Sequence, residues 1–173
     1  MTYSEITVIY LYGHNCMTGN IFELQNVSFA YDGGDRVLDD LNFRINRNAL
    51  IIIQGASGAG KSTFLKLFNR FCDISEGKIL FNGRELNTYN IERLRSILIY
   101  LPQLPYVIDG SVEDNLSFPF VFHSHQDKKF SREKAEEWLD YFQLNVSLDH
   151  DALKLSIGQR QRIALIRSML MDP

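Results

Sequence analysis

The sequence predicts an α/β domain, with an antiparallel β subdomain at its start and helices toward its end. Residues 49–53 form a continuous apolar run, typical of a strand buried on both faces of a sheet. A glycine-rich stretch follows this run and leads into apolar residues at helical spacing. Alternating apolar residues come before the run, and helix-capping patterns come after Pro105.

The opening segment predicts antiparallel strands. Apolar residues alternate over residues 22–31 with one slip near Asn26, as a bulged strand would show. Turn residues at 32–35 and 46–48 flank a second alternating segment. The dipeptide Asn82-Gly83 predicts a tight hairpin later in the chain.

Two further elements follow from apolar spacing. A stripe of Phe64, Leu65, Phe68 and Phe71 predicts the helix after the glycine-rich stretch. The run at residues 97–101 predicts a second apolar strand.

The rest of the chain favours helices. Ser111 with Asp114 resembles a capping box, and Ser131 predicts the cap of a second helix. We expect a helical subdomain at about residues 111–154 and a last helix over residues 159–171. The inner stripe of the Ser131 helix is predicted to be Ala135, Trp138, Leu139 and Phe142.

Composition limits the function classes. The chain has 173 residues, 45% of them hydrophobic, which suffices for one globular domain with a core. Eighteen basic against 21 acidic residues give a net charge of −3, so no general attraction to nucleic acid is expected. Cys16 and Cys72 form no ligand-spaced cluster, and His123 and His125 are interpreted as solvated loop residues. The apolar stretches are far shorter than the ~20 residues of a membrane-spanning helix, so we expect a cytoplasmic protein.

Residues 1–20 stand apart from the pattern that begins at Ile21. They carry no turn chemistry or periodicity that connects them to the remainder. We therefore predict a non-native or disordered extension, with Met17 as an alternative start.

The glycine-rich stretch fits the Walker A pattern G-x-x-x-x-G-K-S/T between a buried strand and a helix. Small residues let backbone amides turn toward a phosphate, and the following helix directs its unpaired amides at the same oxygens. Lys61 adds a charge toward the β- and γ-phosphates, and Ser62 offers a hydroxyl to Mg²⁺. The predicted phosphate-binding residues are Gly55, Ala56, Ser57, Gly58, Ala59, Gly60, Lys61, Ser62 and Thr63. The pattern alone is shared by kinases, GTPases and motors.

A second motif chooses among these classes. Residues 155–159, with the sequence Leu155-Ser156-Ile157-Gly158-Gln159, resemble the LSGGQ signature of ABC ATPases. The resemblance implies that residues 21–173 are part of a P-loop NTPase domain of the ABC type. Such a domain has an antiparallel β subdomain, a RecA-like core and a helical subdomain. It also implies that the signature of one subunit covers ATP bound to a second. Ile157 stands where the family usually has glycine, so weakened or altered closure is expected.

Two further positions match the family. Tyr31 corresponds to the aromatic residue that stacks on adenine, an interaction that does not read base identity. Gln103 corresponds to the Q-loop glutamine, which reaches Mg²⁺ or water and couples the site to the membrane subunit.

The family's next elements are not found in the sequence. They are an apolar strand ending in Asp-Glu, a D-loop and a switch histidine. The resemblance assigns completion of the Mg²⁺ shell and polarisation of water to those carboxylates. We therefore expect a domain incomplete at its C-terminus, with no catalytic residue in the chain, slow turnover and an exposed sheet edge that lowers solubility.

The predicted function is the ATP-binding subunit of an ABC transporter. It would bind Mg-ATP, pair with a second ABC ATPase subunit as a homodimer, and dock on an integral membrane permease at the inner face of the plasma membrane. Residues 110–120 resemble bacterial subunits of an iron-export group. The alternatives are a non-hydrolysing regulatory or scaffold module, an ABC protein of DNA repair or translation, and a small-molecule kinase. The acidic balance and the absence of coiled-coil heptads oppose a protein of DNA repair or translation, and the signature opposes a kinase.

Overall fold

The computed structural model describes residues 7–12, 19–122 and 128–173. The chain consists of two compact units, Met1–Ile91 and Glu92–Pro173. The predictions made for Cys16, Met17, His123 and His125 lie outside the described residues.

Strands dominate the first unit and helices the second. In chain order the elements are β1 Thr7–Tyr12, β2 Asn20–Ala30, β3 Arg36–Asn46, β4 Ala49–Gln54, α1 Lys61–Phe68, β5 Glu76–Phe81, β6 Arg84–Glu85, α2 Ile91–Ile97, α3 Val112–Ser117, α4 Arg132–Tyr141 and α5 Ile157–Leu170. Short 3-10 turns lie at Leu86–Thr88, Phe118–Val121 and Ala152–Lys154. The strands form an antiparallel sheet in the order β3-β2-β5-β6 and a separate pair, β1-β4.

The predicted bulge in β2 is confirmed. The pairing of β2 with β3 shifts between Leu24 and Val27, and Asn26 has a φ of 51°. The Asn26 backbone amide donates to Asn42 Oδ1 at 3.0 Å, so the extra residue keeps a hydrogen-bond partner. Gly77 of β5 passes so close that a Cβ would lie 2.2 Å from the Asn26 carbonyl oxygen. The bulge therefore requires glycine on the neighbouring strand.

The predicted hairpin at Asn82-Gly83 is also confirmed. It joins β5 to β6, and the φ angles of Asn82 and Gly83 are 51° and 75°. Positive φ at both central residues is what a two-residue type I′ turn needs.

The strand before the glycine-rich loop differs from its prediction. Leu50 and Ile52 of β4 are 64% and 38% exposed, so burial on both faces was wrong. The reason is that β4 pairs with β1 alone among the described strands. The pairing is antiparallel and runs from Thr7 opposite Gln54 to Tyr12 opposite Ala49. That residues 1–20 are a non-native or disordered extension stays a prediction.

Aromatic rings fill the core of the first unit. The ring of Phe22 lies 4.6 Å from that of Phe68 and 4.8 Å from that of Phe81, measured between centroids. Helix α1 ends at Phe68, and a positive φ of 51° at Arg70 turns the chain away. Phe71 is consequently outside the helix and 53% exposed, which corrects the predicted apolar stripe.

Leu65 is the second error in that stripe. It lies within α1 but is 44% exposed. Of the four predicted positions, the helix buries Phe64 and Phe68, which are four residues apart and therefore share one face.

One hydrophobic cluster forms the core of the second unit. It joins α3, α4 and α5, and its fully buried members are Val112, Leu116, Ala135, Ala152, Ile163 and Ile166. The capping box of Ser111 with Asp114 and the cap at Ser131 are both confirmed. Ala135 and Leu139 are buried, with Trp138 and Phe142 packed against the cluster as predicted.

The strand predicted at residues 97–101 is wrong. Ile97 is the last residue of α2, and the residues after it have no regular secondary structure. Ile99 and Leu101 are 37% and 43% exposed. An apolar run forms a strand where it can pair with another strand through backbone hydrogen bonds. None of the described strands pairs with residues 97–101. Within the described ranges, no helix combines the length and apolar character that crossing a membrane requires.

Candidate functional site

The candidate phosphate loop connects β4 to α1. Gly58 and Gly60 have φ angles of 82° and 88°, a conformation that L residues rarely adopt. The Ala59 amide donates to the Ala56 carbonyl oxygen at 3.2 Å and closes the turn between them. Gly60 is the N-cap of α1 and has no side chain with which to cap it. The first amides of the helix therefore remain available to an anion.

Lys61 lies across the open side of this loop. Its Nζ donates to the carbonyl oxygens of Gly55 and Ala56 at 2.9 and 2.7 Å. These contacts hold the ammonium over the loop that is predicted to surround a phosphate. A phosphate arriving there would meet both the cation and the helix amides.

The two hydroxyl residues after Lys61 have different surroundings. Ser62 is exposed, so its hydroxyl is accessible to a ligand. Thr63 is only 7% exposed, and its Oγ1 lies 3.1 Å from the hydroxyl of Tyr31. The remaining loop positions Gly55, Ala56, Ser57 and Gly58 are exposed, whereas Ala59 is buried.

Tyr31 follows the last residue of β2 and lies beside the start of α1. Its ring is 51% exposed and packs edge-on against Phe29, with centroids 4.8 Å apart at 87°. The structure therefore brings the predicted adenine-stacking residue to the phosphate loop. The hydroxyl pairing with Thr63 was missed, because the two residues are 32 positions apart and no local pattern links them.

The predicted signature lies at the start of α5. Ser156 Oγ accepts from the Gln159 amide at 3.3 Å, and Gln159 Oε1 accepts from the Ser156 amide at 2.9 Å, which forms a capping box. Because accepting a hydrogen bond leaves the hydroxyl proton free, Ser156 can still donate to a ligand. Leu155 is buried, and Ile157 is 64% exposed as the first helical residue. A Cβ at Gly158 would meet nothing within 4 Å.

Gln103 is connected to the same helix. Gln103 is exposed, and its backbone carbonyl oxygen accepts a hydrogen bond from Gln161 Nε2 at 3.3 Å. Three residues on, the Tyr106 carbonyl oxygen accepts from Arg167 Nη2 at 2.8 Å. Burial lowers the pKa of the Arg167 guanidinium. The structure thus ties the predicted Q-loop segment to the signature helix, a contact that sequence reasoning missed.

The arginines of α5 hold backbone carbonyls, in keeping with a structural helix face. Arg160 Nε donates to Leu155 O at 2.9 Å. Arg162 Nη1 donates to the carbonyl oxygens of Phe142 and Gln143 at 3.2 and 3.3 Å. These guanidinium groups are engaged within the unit.

Comparison with known proteins identifies a matching family model and similar proteins. A family model described as ABC transporter matches residues 38–173. The lactococcin-A transport/processing ATP-binding protein of Lactococcus lactis subsp. lactis is 36% identical over 152 residues, which cover 85% of this chain and 21% of that protein. The ATP-dependent lipid A-core flippase of Escherichia coli K12 is 33% identical, over 90% of this chain and 28% of that protein. The chain thus spans about a quarter of the length of these curated relatives.

Solved structures agree on the fold. A bacterial Atm1-family ABC exporter with ATP bound has a TM-score of 0.70 and 26% identity, covering 88% of this chain and 28% of that one. An ATP-binding subunit of an ABC transporter has a TM-score of 0.65, covering 88% of this chain and 63% of that one. At 22% identity, this second likeness shows the fold alone. Since the family model matches well over half of the chain, this protein belongs to the ABC transporter family and has the fold of its ATPase domain.

Proposed function

We propose that this chain binds Mg-ATP through residues 55–63. The observation that carries the proposal is the position of Lys61, whose ammonium is held by two loop carbonyls beside the uncapped start of α1. A cation and several unpaired amides that converge on one exposed loop favour a polyphosphate. The exposed ring of Tyr31 supplies a stacking surface for adenine next to that loop.

The described residues suit a magnesium ion that is held mainly by the nucleotide. No group of three or more His, Cys, Asp or Glu residues is placed to hold a metal in the described part of the chain. Mg²⁺ commonly keeps several waters and binds through phosphates with few protein ligands. The exposed Ser62 hydroxyl is the proposed protein ligand in the loop, and the predicted role of Gln103 toward Mg²⁺ stays a prediction. The ion would neutralise phosphate charge.

The proposed action of the bound nucleotide is closure of a dimer. In this proposal, the α5 start of one subunit, with Ser156 and its neighbouring amides, covers the γ-phosphate held by the other. The free proton of the Ser156 hydroxyl and the exposed first turn of α5 support this role. The pair would act on an integral membrane permease, because one relative is named a multidrug resistance ABC transporter ATP-binding and permease protein. The proposed position of the pair is the cytoplasmic side of the membrane.

We propose ATP hydrolysis for the family members that are longer than this chain. Residues 1–173 contain no apolar run that ends in Asp-Glu, so these residues alone are proposed to bind ATP with very slow turnover. A steady ATPase rate of this chain that is lost in Lys61→Ala would contradict that statement.

A titration with a fluorescent ATP analogue in the presence of Mg²⁺ tests the binding proposal. Lys61→Ala should weaken binding about tenfold to a hundredfold, because hydrogen bonds to charged groups contribute about 1.5–3 kcal/mol. Lys66→Ala is the matched control, since Lys66 lies in the last turn of the same helix. No uptake by the unmodified chain, or equal affinities of both variants, would refute the proposal.

A further inference from the structure

We propose that Thr63 is a positioning residue for Tyr31, and that their hydroxyl pair fixes the base-stacking ring to the first turn of α1. The inference rests on the proposed nucleotide-binding function and adds a residue role to it. It is carried by the 3.1 Å distance between Tyr31 Oη and Thr63 Oγ1.

The ring of Tyr31 is constrained at two places. Phe29, which is 5% exposed, contacts it edge-on in a T-shaped arrangement. Thr63 holds the hydroxyl at the far end of the ring. A tyrosine that is half exposed would otherwise exchange between its staggered rotamers. With both contacts, the ring keeps its orientation before any ligand arrives.

Thr63 is suited to hold the ring because it is itself rigid. It is 7% exposed and is the third residue of α1. A threonine in a helix has two common rotamers, and burial of Thr63 leaves its side chain little room to exchange between them. Its backbone amide belongs to the first turn, where amides have no intrahelical partner and can bind an anion. One residue thus links the predicted phosphate donors to the predicted base platform.

The strand after Tyr31 supports this link by close contact. A Cβ at Gly60 would lie 2.9 Å from Val37 Cγ1 and 3.2 Å from the Val37 carbonyl oxygen. The start of α1 therefore lies directly against the start of β3, and the β2–β3 hairpin is kept close to the loop.

The consequence is a fixed spacing between base and phosphates. A ligand with both groups gains from a ring that is already oriented, because binding then costs less ordering entropy. A ligand with phosphates alone gains nothing from the ring. Loss of the hydroxyl pair should therefore lower the affinity for ATP relative to that for inorganic tripolyphosphate.

The test compares dissociation constants for Mg-ATP and Mg-tripolyphosphate in Tyr31→Phe, Thr63→Val and the double variant. Tyr31→Phe keeps the ring and should lower the ratio of ATP affinity to tripolyphosphate affinity by about two- to tenfold, the range expected for one neutral hydrogen bond. The double variant should show the same ratio as Tyr31→Phe, because the second substitution removes a bond that is already broken. Thr63→Ser keeps the hydroxyl and should retain the ratio of the unmodified chain.

Tyr89→Phe is the matched control. The Tyr89 hydroxyl donates to the Phe81 carbonyl oxygen at 2.8 Å in the same unit, away from the loop. Its removal should leave the ratio unchanged even if the chain is destabilised. An unchanged ratio in Tyr31→Phe, or additive effects in the double variant, would overturn the positioning role. If the unmodified chain binds neither ligand, the proposed function itself fails, which is a distinguishable result.

Discussion

Substituting Gly60 tests how tightly the start of α1 lies against β3. Gly60 has a φ of 88°, and an L residue in this left-handed conformation costs about 1–2 kcal/mol. The new Cβ would also lie 2.9 Å from Val37 Cγ1, 3.1 Å from Leu38 Cδ2 and 3.2 Å from the Val37 carbonyl oxygen. Overpacking of this kind costs about 1–3 kcal/mol. We expect Gly60→Ala to lower the free energy of unfolding by about 2–5 kcal/mol.

Gly58 provides a matched control in the same loop. Its φ is 82°, but a Cβ there would meet nothing within 4 Å. Gly58→Ala should therefore cost only the backbone strain, about 1–2 kcal/mol. The effect of alanine on the unfolded chain is common to both variants, so the difference of about 1–3 kcal/mol isolates the contact with β3.

Urea unfolding followed by far-ultraviolet circular dichroism measures the global effect. Native-state amide exchange in α1 measures the local one. Val37→Ala combined with Gly60→Ala should recover about 1 kcal/mol, since it removes the nearest clashing atom. If Gly60→Ala is no more destabilising than Gly58→Ala, the close approach does not exist in solution.

Three predictions concern the second unit. Ile163→Ala should lower the free energy of unfolding of the second unit by about 2–5 kcal/mol, because the Ile163 side chain is fully buried. The fluorescence of the single tryptophan, Trp138, during urea unfolding measures this free energy. Ser156→Ala should cost about 1 kcal/mol in the same assay through loss of the helix cap, and Ser156→Asp should restore most of it. Hydrogen bonds from Ser111 lower the pKa of Asp114, so the carboxylate stabilises the fold above about pH 5 and loses this effect as the pH falls below about 4. Asp114→Asn should therefore reduce the slope of stability against pH in acid titrations.

Each of these predictions has a contradicting result. Met169→Ala, on the exposed side of α5 at 41% exposure, should cost far less than Ile163→Ala, and equal costs would refute the burial argument. A cap at Ser156 that contributes nothing would leave Ser156→Ala and Ser156→Asp equally stable. An acid slope that is identical in Asp114→Asn would show that other carboxylates, such as Glu133 and Asp151 with lowered pKa values, account for it.

Features set by neighbouring residues could be predicted from the sequence. The turn at Asn82-Gly83 and the caps at Ser111 and Ser131 depend on backbone angles and hydrogen bonds within a few positions. The bulge at Asn26 is visible in the sequence as a slip in the alternation, although its hydrogen bond to Asn42 is not. The apolar runs were less informative. Apolar character indicates burial, but whether residues 97–101 form a strand depends on a partner strand, which the run itself does not specify.

The candidate site also has features that the sequence predicts and contacts that it does not. The order of glycines and Lys61 in the loop follows a local pattern with a known physical reason, and the structure places Lys61 on that loop. The pairs Tyr31 with Thr63 and Tyr106 with Arg167 join residues 32 and 61 positions apart. Such contacts depend on how strands and helices are arranged in space, so the sequence contains no periodic signal for them.

Ile157 shows how the structure narrows an expectation drawn from the sequence. A branched residue at a glycine position suggests backbone strain, but Ile157 is the first residue of a regular helix and is 64% exposed. Isoleucine is more favourable than glycine in a helix by roughly 0.5 kcal/mol, so it strengthens α5 locally. Under the proposed dimer closure, any cost of isoleucine at this position would arise in the contact with the partner subunit and not in α5 itself. Ile157→Gly should destabilise the isolated chain slightly, and any gain should be seen only when a nucleotide-bound partner approaches that surface.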